Sequence, residues 1–360
     1  MNKNIVILTA PFGNGHNSAS RAIKKMIEKE YDNVKVDIID LFQELNPKSA
    51  SAFSKMYNMV TKFSPLVYDM YYVIKKKQEN NFIDKFMIDQ NLDKAVDIIY
   101  QGDPDIIIST FPACSGYVSR IKEKLKFKTP LVTVMTDVVD SVEWIYDRTD
   151  EYWVPAKETK DFLISKAVEE SMIRVTGIPV DEKFTIGKEI NYRKKKQILI
   201  MGDIIEKFDL DSKKRLEKLD SLDNYLIKIV TGRNKKLYNK LIKNDFKNIE
   251  IIGFTNNISS LMAHSDLVVT KPGGLTLFEA INSEVPVITN FKSFGQENGN
   301  IDFIKKREIG ILIEDKRDFL DEVKLCLENE DIIEKYRENI KIIKSEFESS
   351  PVSRLRGLVQ

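Results

Sequence analysis

The chain opens on an apolar, β-branched run at residues 5–9 and a glycine-broken turn, Pro11-Phe-Gly-Asn-Gly-His16. Ala19, Ile23, Met26 and Ile27 then recur at helical spacing, and a second apolar run covers 34–39. Parallel strands cannot be joined by a tight hairpin; a helical crossover must carry the chain back to the start of the next strand. The opening therefore predicts a βαβ unit, with Asn17 or Ser18 as the helix cap.

The same grammar recurs along the chain. Short β-branched runs fall at 105–109, 131–135 and 152–155, and helical periodicity at 49–77, 82–99, 114–125 and 157–166. The segment Val175-Thr-Gly-Ile-Pro-Val180 then breaks the pattern, followed by Gly187 and a basic run, Arg193 to Lys196. The second half starts afresh, with runs at 198–201, 224–230, 249–252, 266–270 and 285–289. Helices are expected near 274–283, 297–307, 317–329 and 331–348. No self-similarity of the kind a solenoid needs is present. A chain of 360 residues is too long for one ordinary core. The reading is α/β, two doubly wound Rossmann-like domains with an interdomain cleft, and ligands beyond the carboxyl ends of the strands. Residues 1–190 form the first domain and 191–335 the second, with 336–360 a terminal helix that packs back on the first.

Charge and composition exclude several classes. Lys+Arg and Asp+Glu number 56 and 55, a formal net charge of +1. A nucleic-acid binder driven by phosphate neutralisation carries a basic excess, so no nucleic-acid partner is expected. Cys114 and Cys326 lie far apart, which argues against a disulfide framework or a zinc site and suits a reducing compartment. The N-terminus reads as a strand rather than a signal peptide. No stretch approaches the ~18–20 apolar residues of a membrane span. A cytoplasmic protein that meets a membrane only from its surface is expected.

Two segments of the second half carry ligand chemistry. Thr270-Lys-Pro-Gly-Gly-Leu-Thr-Leu-Phe-Glu-Ala280 follows a strand and opens a helix. Gly273 and Gly274 let a ligand approach backbone N–H groups at a helix N-terminus, which favours phosphate. Thr276 and Glu279 follow, and Glu279 is placed to accept hydrogen bonds from a ribose diol. Phe294-Gly-Gln-Glu-Asn-Gly-Asn300 comes after the next strand; Gln296 and Glu297 are groups of the kind that read sugar hydroxyls. The bland alternative for each is a tight strand-to-helix turn with a surface acid.

The pair of segments, in this order and spacing, resembles the donor half of glycosyltransferase family 28. That family includes the monogalactosyldiacylglycerol synthases, the bacterial processive diacylglycerol glucosyltransferases and the peptidoglycan glucosaminyltransferase. Gly13-Asn-Gly-His-Asn-Ser-Ala-Ser-Arg-Ala22 is similar to the Gly-x-Gly-His-x-Ser-Ala motif of the lipid branch, as are Val134-Met-Thr-Asp137 and Val175-Thr-Gly-Ile-Pro179 to family segments. The resemblance implies the GT-B architecture and an inverting transfer of glucose or galactose from a UDP-sugar to diacylglycerol or a related lipid. It implies no metal and no cofactor beyond the donor. His16 is the expected base, with Asp137 as alternative base or partner, and Gly13 and Gly15 lie on the acceptor side. His264 reads as structural. One departure stands out: the family's Gly-rich loop after the first strand of the second domain is reduced to Gly202, expected with Gly273 and Gly274 among the donor-binding residues but followed by Asp203 and Glu206, poor neighbours for a diphosphate.

Residues 48–77 hold six Lys against one Asp, with six aromatics and three Met between Phe53 and Tyr72. Phe53 and Tyr57 share one helical face and Met70 and Tyr71 another, and Lys75, Lys76 and Lys77 close the segment. This is the pattern of an interfacial helix on an anionic membrane surface. Rival readings are a UDP-sugar epimerase, a peptidoglycan-type transferase, or a degraded family member that binds nucleotide sugar as a sensor.

Overall fold

In a computed structural model the described residues are 3–10, 14–45, 88–185, 195–291, 297–314 and 319–358. They form two compact units. The first comprises Met1–Asp181, Phe294–Gly299 and Glu346–Gln360; the second comprises Glu182–Ser293 and Asn300–Ser345.

The first unit is built on a parallel sheet: β1 (Lys3–Thr9), β2 (Val34–Asp40), β3 (Ile106–Ser109), β4 (Leu131–Val134), β5 (Glu151–Val154) and β6 (Ile173–Val175), in spatial order β2-β1-β3-β4-β5-β6. Side chains alternate across a strand, and both faces of this sheet are covered. Ile5 and Ile7 join Ile23, Ile27, Ile106, Ile108 and Trp153 on one face. Val6 and Leu8 join Ile107, Cys114, Val118 and Ile121 on the other. Helix α1 (Asn14–Glu30), which leaves β1, therefore packs on one face. The helix that leaves β3, Pro112–Leu125, packs on the opposite one. Between β1 and β3 the chain reverses its direction of winding, so the two helices diverge and open a crevice at the carboxyl ends of those strands. The tail also belongs to this unit: Tyr31 donates to the Val352 carbonyl at 2.6 Å, and Val352 and Leu355 enter the core beside Ile23 and Ile27.

The second unit repeats the plan with β7 (Lys196–Met201), β8 (Tyr225–Val230), β9 (Ile249–Ile252), β10 (Leu267–Val269), β11 (Val287–Asn290) and β12 (Gly310–Ile313). All pairings are parallel and the order is β12-β11-β10-β7-β8-β9, so winding reverses between β7 and β10. Ile198, Ile200, Ile227, Ile229, Leu267 and Val269 bury one face against Leu216, Leu219, Phe319 and Val323.

Three differences from the sequence reading have physical causes. Helix α1 starts at Asn14, so Asn17 and Ser18 are not its cap but lie inside it; the Asn17 amide oxygen accepts from the Thr9 hydroxyl, and the Ser18 hydroxyl accepts from Arg21. Strands β6 and β12 were hidden by their brevity, β6 also by the Gly177 and Pro179 that follow it and β12 by the Gly310 that opens it. Gly177, at φ +71°, turns the chain after β6, and a Cβ there would meet the Phe347 ring at 3.0 Å. The units part after Asp181, ahead of 190/191, because Phe184 is buried in the second unit, where its carbonyl accepts from Ser283.

Candidate functional site

The crevice of the first unit holds His16. The ring lies in the first turn of α1 rather than in the flexible turn expected from sequence, and it is 9% exposed. Its Nδ1 lies 2.8 Å from the carbonyl oxygen of Thr110, the residue that follows β3, and 2.9 Å from Oγ1 of Thr136, beyond the end of β4. A carbonyl only accepts, so Nδ1 carries the hydrogen and the lone pair sits on Nε2. The Phe111 ring packs edge-on to the imidazole at 5.1 Å. Ser20 locks the turn by bonding the His16 carbonyl at 2.9 Å and the Thr110 hydroxyl at 3.0 Å.

Burial holds the His16 pKa down to about 4, against a partial lift from the Thr110 carbonyl. The cause is desolvation, which penalises the imidazolium. The ring is neutral at pH 7, with its acceptor nitrogen available. Asp137 adjoins Thr136 in a half-buried bend after β4, so it is next in sequence to the residue that reaches His16 across the end of β3. Gly15 lies in the first turn of α1, whereas Gly13 falls outside the described residues. So do Phe53, Tyr57, Met70, Tyr71, Lys75, Lys76 and Lys77.

In the second unit the ends of β7 and β10 flank the reversal of winding. After β10 the chain runs through Pro272 into a nine-residue helix, Gly274–Asn282, with Gly273 at its N-cap. No acidic residue occupies its first turn, so its partial positive charge is not offset there. Gly273 has φ −75°, accessible to any residue, and a Cβ on it would meet nothing nearer than Lys271 Cε at 3.6 Å. Neither backbone nor packing demands glycine at 273. Thr276 and Glu279 are half-buried on the helix.

Gly202 differs. A Cβ there would lie 2.8 Å from the Val230 carbonyl oxygen and 2.9 Å from Thr231 Cα. The glycine is required by the close approach of the β7 and β8 ends. Beyond it the chain folds back on its own core, burying Ile204, Ile205 and Phe208 and leaving Asp203 and Glu206 exposed.

Glu297 opens the helix Glu297–Arg307, while Gln296 falls outside the described residues. Asn300 of that helix, fully buried, donates from Nδ2 to the Pro272 carbonyl at 2.9 Å. It pins the turn that carries Gly273. The sequence reading quoted Asn300 and Thr136 inside motifs without giving either a role. It missed Phe254, which follows β9, is 59% exposed and lies under the Arg233 guanidinium at 5.2 Å; an aromatic after a strand-terminal glycine was the available signal. His264 accordingly makes local contacts, its Nδ1 2.6 Å from the Ser260 carbonyl. Among the described residues no cluster of His, Cys, Asp or Glu could hold a metal, and no helix is long and apolar enough to cross a membrane.

Comparison with known proteins adds independent findings. The sequence profile of the monogalactosyldiacylglycerol synthases matches residues 16–180, and that of group 1 glycosyl transferases matches 181–343. A processive diacylglycerol beta-glucosyltransferase of Staphylococcus epidermidis is 30% identical over 98% of this chain and 90% of its own length. Among solved structures, the UDP co-structure of S. aureus MnaA superposes with TM-score 0.65 at 14% identity, covering 98% of this chain and 95% of that one. MurG of Acinetobacter baumannii gives 0.61 at 14%, covering 99% of each. At such identities the superpositions bear on fold, which is GT-B.

Proposed function

Since the chain belongs to the family of the processive diacylglycerol glucosyltransferases, we propose that it moves a hexose from a UDP-sugar to diacylglycerol with inversion, for membrane glycolipid synthesis. The relatives' name favours glucose as the sugar. The observation that carries the reading is the His16 ring, buried, neutral and committed through Nδ1.

The chemistry divides between the units. In the second, the helix N-terminus at Gly273 and Gly274 takes the diphosphate, Glu279 the ribose diol, and the exposed Phe254 ring the base; Gln296 and Glu297 read the hexose. In the first, Nε2 of His16 accepts the proton of the acceptor hydroxyl as its oxygen bonds the anomeric carbon. The bond from that carbon to the phosphate oxygen breaks, and UDP leaves with the electron pair toward the helix N-terminus. The imidazolium so formed keeps its Nδ1–H on Thr110 and Thr136. Asp137 serves as partner, or as base in its place. Contact with the inner face of the membrane, peripheral and without a span, is assigned to residues 48–77.

The test is a donor screen with diacylglycerol vesicles, read by UDP release and mass spectrometry of the lipid. A glycosylated diacylglycerol formed with UDP-glucose supports the reading. UDP release without a lipid product, or sugar epimerisation, sinks it in favour of the epimerase; nucleotide binding without turnover favours the sensor. His16→Ala should lower turnover about 10²-fold or more; near-normal turnover would promote Asp137.

A further inference from the structure

The pole of the first unit opposite the His16 crevice carries a second cavity. It lies at the amino ends of β4 and β5, about 13 Å of strand away from the carboxyl ends. Its volume is 440 Å³, and Lys122, Lys126, Lys128, Arg148, Asp147 and Asp150 line it together with Phe127 and Thr149. Lys122 forms a built floor: its side chain is 8% exposed and its ammonium pairs with Asp150. The Asp150 carboxylate is spent twice, on Lys122 and on the Leu131 backbone N–H at 2.7 Å.

The rim is different. Lys126, Lys128 and Arg148 are exposed. None makes an ion pair among the described residues, whereas Lys122 and Lys124 of the preceding helix do, Lys124 with Asp89 at 2.8 Å. Lys126 stands at φ +61° on the C-cap of its helix, a left-handed position where a lysine is costly and Gly or Asn the usual residue. Four cations against two carboxylates leave two positive charges unbalanced around one cavity, in a chain whose net charge is only +1.

We propose that this cavity binds a phosphate monoester. Two surplus charges match a dianion. The planar Arg148 guanidinium can fork onto two phosphate oxygens, with the lysines as point charges beside it. The volume exceeds that of phosphate itself, and the Phe127 wall offers apolar surface to the organic part. The ester can be a soluble metabolite or a lipid headgroup, and the experiment separates the two.

The full chain is titrated with inorganic phosphate and glycerol 3-phosphate by calorimetry and by amide NMR, and separately sedimented with phosphatidylcholine vesicles with and without phosphatidic acid. The variant Lys126→Asn/Lys128→Gln/Arg148→Gln removes the rim charges, with Asn chosen at 126 because it tolerates the left-handed backbone. Lys213→Gln/Lys214→Gln/Lys218→Gln, three exposed lysines of the second unit, is the control with equal charge change. Saturable binding of the soluble ester, weakened at least ten-fold in the rim variant and unchanged in the control, supports the site and a soluble ligand. Binding confined to phosphatidic acid vesicles with the same variant pattern supports the site and a lipid ligand. No binding in either arm, or equal weakening by rim and control variants, overturns the proposal. Melting temperatures of both variants establish that they are folded. The outcome is independent of whether the chain transfers a sugar.

Discussion

Acid is the most informative perturbation of this protein, because His16 turns pH into a test of its own burial. In the unfolded chain its imidazole protonates below about 6.5; in the folded unit it stays neutral down to about 4. Between those values the unfolded state binds the additional proton, so the stability that burial of the neutral ring allows is complete above pH 6.5. It is lost progressively as pH falls toward 4. The difference of about 2.5 units corresponds to roughly 3 kcal/mol as an upper bound. Replacement by Gln removes the titration, so urea denaturation across this window should show a shallower acid loss in His16→Gln than in the parent. Catalysis should follow the same pKa. At pH 5.5 an ordinary imidazole is only about a tenth neutral, whereas His16 remains almost wholly so. The acid limb of kcat/KM, which reports the free enzyme, should therefore fall near pH 4. A limb centred near 6.5, with an NMR titration of the ring to match, would refute the burial argument and the Nδ1–H tautomer built on it.

Other expectations follow from the second unit and from the segment at 48–77. Gly273→Ala and Gly202→Ala should separate ligand approach from packing. The first should leave the melting temperature nearly unchanged and weaken UDP at least about ten-fold, or 1.4 kcal/mol. The second should destabilise by about 1–3 kcal/mol, because its Cβ meets backbone at 2.8 Å; thermal melts and calorimetry with UDP read both, and the reverse pattern would exchange their roles. Glu279→Ala should weaken UDP by roughly 1.5–3 kcal/mol if its carboxylate holds the ribose, and unchanged affinity in a folded variant would remove it from the donor site. Asn300→Ala should cost about 1–3 kcal/mol by orphaning the Pro272 carbonyl, measured by denaturation. Anionic vesicles should bind the protein at low salt and release it at high salt, and replacing Lys75, Lys76 and Lys77 with Glu should reduce co-sedimentation; binding untouched by that change would remove residues 48–77 from the membrane contact.

The α/β class and the presence of two doubly wound units were legible because short continuous apolar, β-branched runs alternate with helical spacing, and parallel strands need helical crossovers. The strand–Gly-Gly–helix passage itself was equally legible, since Thr270 to Ala280 is contiguous and the turn has local meaning. What the chain could not reveal by itself was which strand lies beside which. Only the order β2-β1-β3-β4 brings Thr110 and Thr136, 94 and 120 positions from His16, onto one ring nitrogen. That contact fixes the tautomer and, with burial, the pKa. The two glycines read alike in sequence and part in space: Gly202 meets the carbonyl of a neighbouring strand, and Gly273 faces no such neighbour. Sequence carries residue type and local periodicity. Burial, proton position and the reason for a glycine are properties of distant neighbours, and only the folded sheet supplies them.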